Sequence, residues 1–349
     1  MLQDNNKSFS KKSLSALLTP TLFALIPLAL NAPVWAEDVE YDPGDTVYYT
    51  YCHSHPPALR INPGDRVKTR TRDASNDAFT QTDKDLSKLD LSAVNPQTGP
   101  FYVEGAEPGD TLVVHLHKVE PNRDWGWGGS IPFFGVLAPE YKTMMLTDPA
   151  PEILWIWNID RDNRTASLDL PKSKIGKIEV PIRPFLGTIG VAPSGKECWS
   201  SLTPGAHGAN MDFNEVISGV TMYFPVFEPG ALFMLGDGHA AQGDGEVDGA
   251  AVETSMDVEF TVDLIKGKQI SWPRLENDEV IMSIGSTRPL IDALRLACVD
   301  LVNWLVADYG YDKIEAKQLL GQAARLEIAN VVDPQYSVAC VLPKQYLPQ

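Results

Sequence analysis

Side chains of the kinds that catalyse reactions and bind metals are concentrated in one glycine-rich stretch, residues 235–247. Among its four glycines stand five polar groups: Asp237, His239, Gln242, Asp244 and Glu246. Glycine lets the backbone approach a ligand closely, and several acids beside a histidine suit a metal site or a general acid–base cluster. The spacing of these residues matches neither an EF-hand loop nor a dinucleotide-binding fingerprint.

Two further stretches combine glycine with polar groups in the same way. In residues 99–110, Glu104 precedes a glycine, although taken alone it is more typical of an exposed turn. Residues 204–212 carry three polar side chains: His207, Asn210 and Asp212. Both stretches are therefore candidates for the same site as residues 235–247.

Nucleophilic catalysis by serine or cysteine receives no support from the sequence. There is no Gly-x-Ser-x-Gly elbow. Cys198 has no histidine beside it in the sequence, which argues against a catalytic thiol. Asp77 and Glu253 are isolated acids and weaker candidates for acid–base or metal chemistry.

Alternating runs rich in β-branched and aromatic residues predict the strands that must position these groups. Three runs each begin at a Pro-Gly-Asp turn, and three more follow later in the chain: 45–51, 65–71 and 110–117, then 178–191, 216–227 and 258–264. Proline presets such a turn and glycine accepts a positive φ, so the strands are joined by tight turns.

The pattern changes after Pro289. Apolar residues at helical spacing predict a helix over 290–307, and Asp312 is a plausible N-cap for a second helix over 312–329. A strand is expected over 335–342. The sequence thus predicts a mainly β protein, with a β-rich body over 37–285 and a smaller C-terminal α/β portion over 286–349 packed on it.

Tryptophans gather between residues 120 and 177. The Trp-Gly-Trp-Gly-Gly run at 125–129 reads as a loop, and Trp155 and Trp157 follow in the same region. Two interpretations remain open: aromatic packing over the body, which is favoured, or a lid over a pocket.

The N-terminal 36 residues have the three-part layout of a secretory signal peptide: a basic start, an apolar run over 14–30, and compact residues before a cut after Ala36. A membrane anchor is disfavoured because the run is short and holds two prolines, whereas a spanning helix needs about 20 apolar residues. The protein is therefore expected to be periplasmic or secreted, with no membrane association after cleavage.

Charge and cysteine content bound the partners and the compartment. The net charge is −17, and since the first 36 residues hold three lysines and one aspartate, the remainder carries −19. Such a surface repels nucleic acid and anionic lipid. Four widely spaced cysteines exclude a zinc ribbon and leave open whether one disulfide forms.

Several stretches, taken in order, resemble the acetamidase/formamidase family. They are Gly-Pro followed by Val-Glu-Gly-Ala-Glu-Pro-Gly-Asp-Thr-Leu in 99–112, Arg-Pro-Phe-Leu-Gly-Thr-Ile-Gly-Val-Ala-Pro at 183–193, Gly-Ala-Asn-Met-Asp at 208–212, and the Gly/Asp-rich run of 230–246. The resemblance implies a jelly-roll-like β-sandwich body with added α/β elements. It also implies hydrolysis of a short-chain amide to carboxylate and ammonia, with a divalent metal, by a homo-oligomer.

A mechanistic hypothesis follows from the resemblance. Amide hydrolysis needs an activated water, charge stabilisation at the carbonyl oxygen and a proton for the leaving amine. A divalent metal, zinc or calcium, held by some of Asp77, His207, Asp237 and His239 would supply the first two. Glu104, Asp244 and Glu246 are the candidate catalytic acids, and replacing Glu104 with glutamine is expected to abolish turnover.

A non-catalytic alternative has a different basis. In a carbohydrate- or metal-binding β-sandwich, the tryptophans would stack on sugar rings and the Gly/Asp-rich run would hold structural calcium. The acids clustered around His239 favour the enzyme, because a stacking module needs no acid–base set.

Overall fold

The computed structural model describes residues 36–132, 134–137 and 151–348. The predicted signal peptide therefore lies outside the described residues except for its last position. These described residues form one compact unit. No helix in the described part of the chain is long and apolar enough to cross a membrane.

Strands dominate the fold. In chain order they are β1 (Asp38–Glu40), β2 (Thr50–Cys52), β3 (Leu59–Ile61), β4 (Arg66–Arg70), β5 (Gln97–Val103), β6 (Thr111–Pro121), β7 (Trp125–Ser130), β8 (Ile153–Asp160), β9 (Thr165–Leu170), β10 (Gly176–Pro181), β11 (Phe185–Gly190), β12 (Cys198–Ser200), β13 (Gly208–Asn210), β14 (Thr221–Pro225), β15 (Phe233–His239), β16 (Glu253–Thr254), β17 (Met256–Ile265), β18 (Arg274–Glu276), β19 (Val280–Thr287), β20 (Arg325–Asn330) and β21 (Tyr336–Pro343). The two helices are α1 (Leu290–Tyr309) and α2 (Lys313–Ala323).

Two large sheets and one small ribbon account for the pairing. The nine-stranded sheet has the order β1-β4-β17-β6-β14-β18-β19-β21-β20. The ten-stranded sheet has the order β10-β9-β8-β7-β16-β15-β11-β13, with β5 pairing with β15 and β3 with β5. Strands β2 and β12 form the ribbon. With strands holding 41% of the residues and helices 13%, the predicted mainly β class is confirmed.

The main core lies between the two large sheets. Phe101 and Phe233 from the ten-stranded sheet pack against Phe260 of the nine-stranded sheet, with the ring centroids of Phe233 and Phe260 5.3 Å apart. Burial of large aromatic side chains is the leading favourable term in such a sandwich. This arrangement is the β-sandwich body that the sequence analysis predicted.

The C-terminal α/β portion adds a third layer. In β21, Ala339 and Val341 face the sandwich core, whereas Cys340 and Leu342 face α1. This strict alternation lets one strand serve two apolar clusters, because successive side chains point to opposite faces. The strand therefore belongs to the sheet of the body and supports the helices as well.

The observed elements confirm most of the predicted ones and correct three. The strand predicted over 45–51 is limited to Thr50–Cys52. The capping box of α2 is formed by Asp312 and Glu315, as the sequence indicated. The second helix was predicted too long, since 325–330 is β20, paired with β21. The run 125–129 is not a loop but the strand β7: a Cβ at Gly126 would lie 2.7 Å from the carbonyl oxygen of Glu253, so glycine here permits close strand packing.

The cysteines fall into two pairs. Cys52 and Cys198 lie opposite each other in the β2–β12 ribbon and form a disulfide. Cys298 of α1 and Cys340 of β21 are free thiols with sulfurs 3.2 Å apart. The structure thus assigns one bridge.

Candidate active site

The site begins where β15 reverses the direction of its side chains. Leu235 belongs to the sandwich core, and a Cβ at Gly238 would point at Met256 of the same core. Regular alternation would place residues 235 and 238 on opposite faces. The left-handed backbone of Asp237, with φ 57°, breaks the alternation. As a result, Asp237 and His239 leave the core and meet on the outer face of the ten-stranded sheet.

One row of cross-strand neighbours runs through this face. Phe185 of β11 lies opposite His239 of β15, His239 lies opposite Glu253 of β16, and Glu253 lies opposite Trp127 of β7. Directly opposite residues of antiparallel strands have neighbouring side chains on the same face. The ladder itself therefore brings the histidine and the glutamate together.

His239 is held at both ring nitrogens. Its Nδ1 lies 2.8 Å from Oε1 of Gln242, whose amide nitrogen donates to the backbone oxygen of Asp212 at 2.9 Å. Because the amide nitrogen is committed to that oxygen, Oε1 accepts and Nδ1 donates. The Nε2 atom then faces Oε2 of Glu253 at 3.1 Å and Oδ1 of Asp237 at 3.3 Å.

A network of amides and carboxylates adjoins this histidine. Asn210 donates from Nδ2 to Oδ2 of Asp212 at 2.9 Å and to Oδ2 of Asp333 at 2.5 Å. Asn330 donates to the same two carboxylates. Thr188 donates to Oδ2 of Asp237 at 3.1 Å, which ties the network to β15. These neutral donors hold the carboxylates in position but bring no positive charge to balance them.

Three acids of the site have a left-handed backbone: Asp212 with φ 43°, Asp237 with φ 57° and Glu246 with φ 53°. Such a conformation is uncommon outside glycine and costs on the order of 1–3 kcal/mol for each residue. Strain of this kind persists where the surrounding structure enforces it, and it concentrates at functional sites.

The site collects buried negative charge. Its five buried carboxylates belong to Asp212, Asp237, Glu246, Glu253 and Asp333. None of them forms an ion pair with a lysine or arginine in the part of the chain that the structure describes. Burial, reinforced by neighbouring carboxylates, raises the pKa of Asp212 and of Glu246 well above the usual range.

The pKa values of Asp333 and His239 are set by opposing effects of burial and neighbouring groups. Burial raises the pKa of Asp333 to about 6, although hydrogen bonds from Asn210 and Asn330 oppose the shift. Burial alone would lower the pKa of His239, but the adjacent carboxylates of Glu253 and Asp237 hold it well above its usual value. The carboxylates thus stabilise positive charge between them, as a proton on the imidazole or as a metal ion.

The donor atoms fit a divalent metal. Two sets have their ligand atoms within 4.8 Å of one another: Asp212, Asp237 and His239, and His239, Glu246 and Glu253. Oδ1 of Asp212 and Oε2 of Glu253 are buried without a hydrogen-bond partner among the described residues. A histidine that donates its other nitrogen to an oxygen is the usual arrangement of a metal ligand, and a nitrogen donor favours zinc over calcium.

Gly187 leaves room for such a ligand. A Cβ on Gly187 would lie 2.6 Å from Oδ2 of Asp237 and 3.1 Å from Cε1 of His239, and closer still to Oδ1 of Asp212. All three neighbours are side-chain atoms of the site. Glycine at this position keeps the space between the carboxylates and the imidazole open.

A cavity of about 360 Å³ opens onto the cluster. Asp237, His239, Glu246 and Glu253 lie in its polar part, and apolar side chains such as Trp127 form the rest of its wall. A larger cavity of about 760 Å³ shares Glu246 but none of the other four carboxylates. The smaller cavity contains the chemistry and is the candidate active site.

The structure brings together three of the predicted site residues: Asp237, His239 and Glu246. All are buried, and all line the smaller cavity. Asp244 lies nearby but is exposed on the wall of the larger cavity, where it accepts a hydrogen bond from Asn214 at 3.2 Å.

Three other predicted residues are placed elsewhere. Glu104 forms an ion pair with Arg60 on the surface, with Nε and Oε1 2.5 Å apart. Gln97, at the edge of the site, lies seven residues before Glu104 along extended chain, which separates the two by roughly 20 Å. Asp77 lies in a half-exposed ion pair with Arg123. His207 is packed between the rings of Tyr51 and Trp199 and belongs to neither ligand set. None of the three meets the cluster.

Sequence reasoning gave too little weight to Glu253 and did not single out Thr188, Asn330 or Asp333. Glu253, Asn330 and Asp333 stand in stretches without the glycine density that marked 235–247, whereas Thr188 lies in 183–193, a stretch noted only for its family resemblance. Asp212 was noticed but not placed among the metal ligands. The signal that could have identified Asp212 is its position two residues after Asn210 in a glycine-containing stretch. In the structure these two side chains form a hydrogen bond.

Comparison with known proteins covers most of the chain. The model of the "Acetamidase/Formamidase family" matches residues 44–200 and 195–347. An acetamidase of Mycolicibacterium smegmatis is 27% identical over 343 residues, covering 76% of this chain and 82% of that protein. A formamidase of Methylophilus methylotrophus is 26% identical over 381 residues, covering 88% and 89%.

Solved structures show the same likeness. The crystal structure of an acetamidase from Yersinia enterocolitica superposes with a TM-score of 0.81 at 40% identity, covering 89% of this chain and 94% of that one. An acetamidase from Bacillus halodurans gives 0.78 at 30% identity, covering 88% and 98%. The similarity therefore spans the sandwich body and the C-terminal portion together.

Proposed function

The chain belongs to the acetamidase/formamidase family, and from this premise we propose that it is an exported, metal-assisted amidase that hydrolyses a linear amide to carboxylate and ammonia. The observation that carries the proposal is the buried cluster of His239 with Glu253, Asp237 and Asp212 at the end of an open cavity. Family membership supports hydrolysis of a C–N bond in an amide; the cluster supplies the groups that this reaction needs.

The position of each residue indicates its proposed role in the reaction. Water adds to the amide carbonyl carbon, the C–N bond breaks, and the nitrogen takes a proton as it leaves. Glu246 lines the cavity, and its carboxylate makes no hydrogen bond within the described residues, so it is free to carry that proton. Glu253 holds the Nε2 side of His239, and Gln242 fixes the ring through Nδ1.

Asp212, Asp237 and His239 are the residues that would hold a zinc ion, with Glu253 as a further donor. When bound, a divalent metal supplies Lewis-acid polarisation of a carbonyl and a lower pKa of water. Asn210 and Asn330 orient the carboxylate of Asp212 through its other oxygen, leaving Oδ1 available.

Export is the second part of the proposal. The basic and apolar pattern of residues 1–36 supports it, and so does the disulfide between Cys52 and Cys198, because disulfides persist in oxidising compartments. The periplasm or the extracellular medium is the proposed location.

Ammonia release tests the proposal directly. Purified mature protein is given formamide, acetamide, propionamide and butyramide, with and without a chelator, and the metal content is measured in the same samples. Release that falls on chelation and returns with zinc is the expected result. No release from any amide by folded, zinc-loaded protein would overturn the proposed function.

A further inference from the structure

The cavity that contains the cluster is chemically divided. Its polar end consists of carboxylates, His239 and the amides of Asn95 and Asn210. The remainder is apolar and is built from separate segments of the chain: Leu89, Leu91 and Val94, then Trp127, Ile131–Pro132 and Leu202. Formamide and acetamide would occupy only the polar end, which leaves the apolar part of the wall without a partner.

The size of the cavity supports the same conclusion. A volume of about 360 Å³ equals the share of roughly a dozen water molecules in the liquid, at about 30 Å³ each. Acetamide has four non-hydrogen atoms, so most of the space lies beyond its methyl group. The volume falls within the range of cavities that bind ligands larger than acetamide, about 300–1,000 Å³.

Exposed apolar side chains continue the wall at the mouth. Leu91 is 72% exposed and Phe134 40% exposed, and both line the cavity. Single exposed apolar residues are ordinary, but Leu91 and Phe134 meet at one cavity whose inner wall is also apolar, which is typical of a binding surface.

We infer that the substrate is the primary amide of an apolar carboxylic acid of about six to ten carbons, with its acyl chain along this wall and its carboxamide at the cluster. The inference rests on the proposed amidase function and adds its substrate class. The carboxamide supplies a carbonyl oxygen and an amino group to the polar end, while the chain removes apolar surface from water.

A series of amides of increasing length measures the effect. Each methylene that enters the apolar part is expected to raise kcat/KM about fourfold from acetamide to hexanamide. Values that stay level or fall along the series, with clear turnover of acetamide, overturn the inference and leave the amidase function intact. No turnover of any amide overturns the amidase function itself.

A binding measurement further separates failure of the inferred substrate class from failure of the amidase function. Titration calorimetry with hexanamide and with acetamide uses the zinc-loaded Glu246→Gln variant, which lacks the proposed proton carrier and does not consume the ligand. It is expected to show tighter binding of hexanamide and a negative heat-capacity change. Equal or absent binding of the two amides contradicts the assigned cavity whether or not turnover is seen.

A matched pair of variants tests the wall. Leu91→Gln is expected to lower the ratio of kcat/KM for hexanamide to that for acetamide about threefold. Ile314→Gln changes an apolar residue of similar exposure, 70%, on α2, and should leave the ratio unchanged. Equal ratios in both variants count against the wall.

Discussion

His239 and Glu253 are direct cross-strand partners in the β15–β16 ladder, and Nε2 of the imidazole lies 3.1 Å from Oε2 of the carboxylate. Both side chains are buried, and Oε1 of Glu253 accepts a hydrogen bond from the backbone of Ala251 at 3.0 Å. The backbone therefore aims one carboxylate oxygen at the histidine, and the sheet fixes the distance between them.

Glu253→Gln should lower kcat by about 10–100-fold, because it removes the charge that holds the Nε2 side of His239 while preserving shape. Glu104→Gln is the matched control. Since Glu104 is in an exposed ion pair with Arg60 away from the cluster, we expect turnover near that of the native protein, contrary to the expectation from sequence. Steady-state ammonia release decides both. Loss of activity in the Glu104 variant would return it to the mechanism.

Gly187→Ala should abolish activity while the sandwich stays folded. The three atoms nearest the added methyl would be side-chain atoms of Asp212, Asp237 and His239, so the damage falls on the site. Gly243→Ala is the control, because a Cβ at Gly243 has no neighbour within 4 Å. Turnover and thermal midpoints are compared for the two. An active Gly187 variant would show that the space beside these carboxylates is not used.

Metal content should distinguish two aspartates. Asp212→Asn is expected to lose at least tenfold in zinc affinity, since it alters the buried Oδ1 that has no other partner among the described residues. Asp77→Asn should keep its zinc, because that carboxylate belongs to the ion pair with Arg123. Elemental analysis after dialysis against a weak chelator measures both. Equal metal loss in the two variants would contradict the assigned ligands.

The sequence predicts the fold better than the site, for a physical reason. The alternation over 258–264 and the cap at Asp312 are local signals, and both appear in β17 and α2. Glycine density likewise located Asp237 and His239. In contrast, Glu253 and Asp333 reach the cluster only through strand pairing and tertiary packing, which no local pattern encodes.

The errors have equally local causes. The glycines of 125–129 are typical of a loop in sequence, but they lie in a strand. A Cβ at Gly126 would lie 2.7 Å from the carbonyl oxygen of Glu253, so glycine is needed there for strand packing. Glu104 shared the glycine-flanked pattern of the true site, but it lies at the other end of β5, where the strand emerges at the surface. Composition around a residue cannot say at which end of a strand the site is formed.

His207 should make the fold sensitive to acid. Burial lowers its pKa to about 3, so between that value and its unfolded pKa of about 6.5 only the unfolded state binds the proton. Stability therefore rises with pH through this window and is lost as pH falls, by about 2 kcal/mol between pH 7 and pH 5. His207→Phe should remove this difference. Urea unfolding at both pH values measures it, and identical pH dependence in the variant would refute the assignment.

The disulfide between Cys52 and Cys198 should contribute measurably to the free energy of unfolding. It joins β2 to β12 across a sequence separation of 146 residues, and closing so long a loop removes about 5 kcal/mol of entropy from the unfolded chain in the simplest model. The paired substitution Cys52→Ser with Cys198→Ser should therefore lower the free energy of unfolding by about 2–5 kcal/mol. Cys298→Ser, which alters a free thiol, should cost less. Alkylation of the urea-unfolded protein without reductant should label two cysteines per chain, Cys298 and Cys340. Four labelled cysteines, or equal stability of the paired variant, would contradict the bridge.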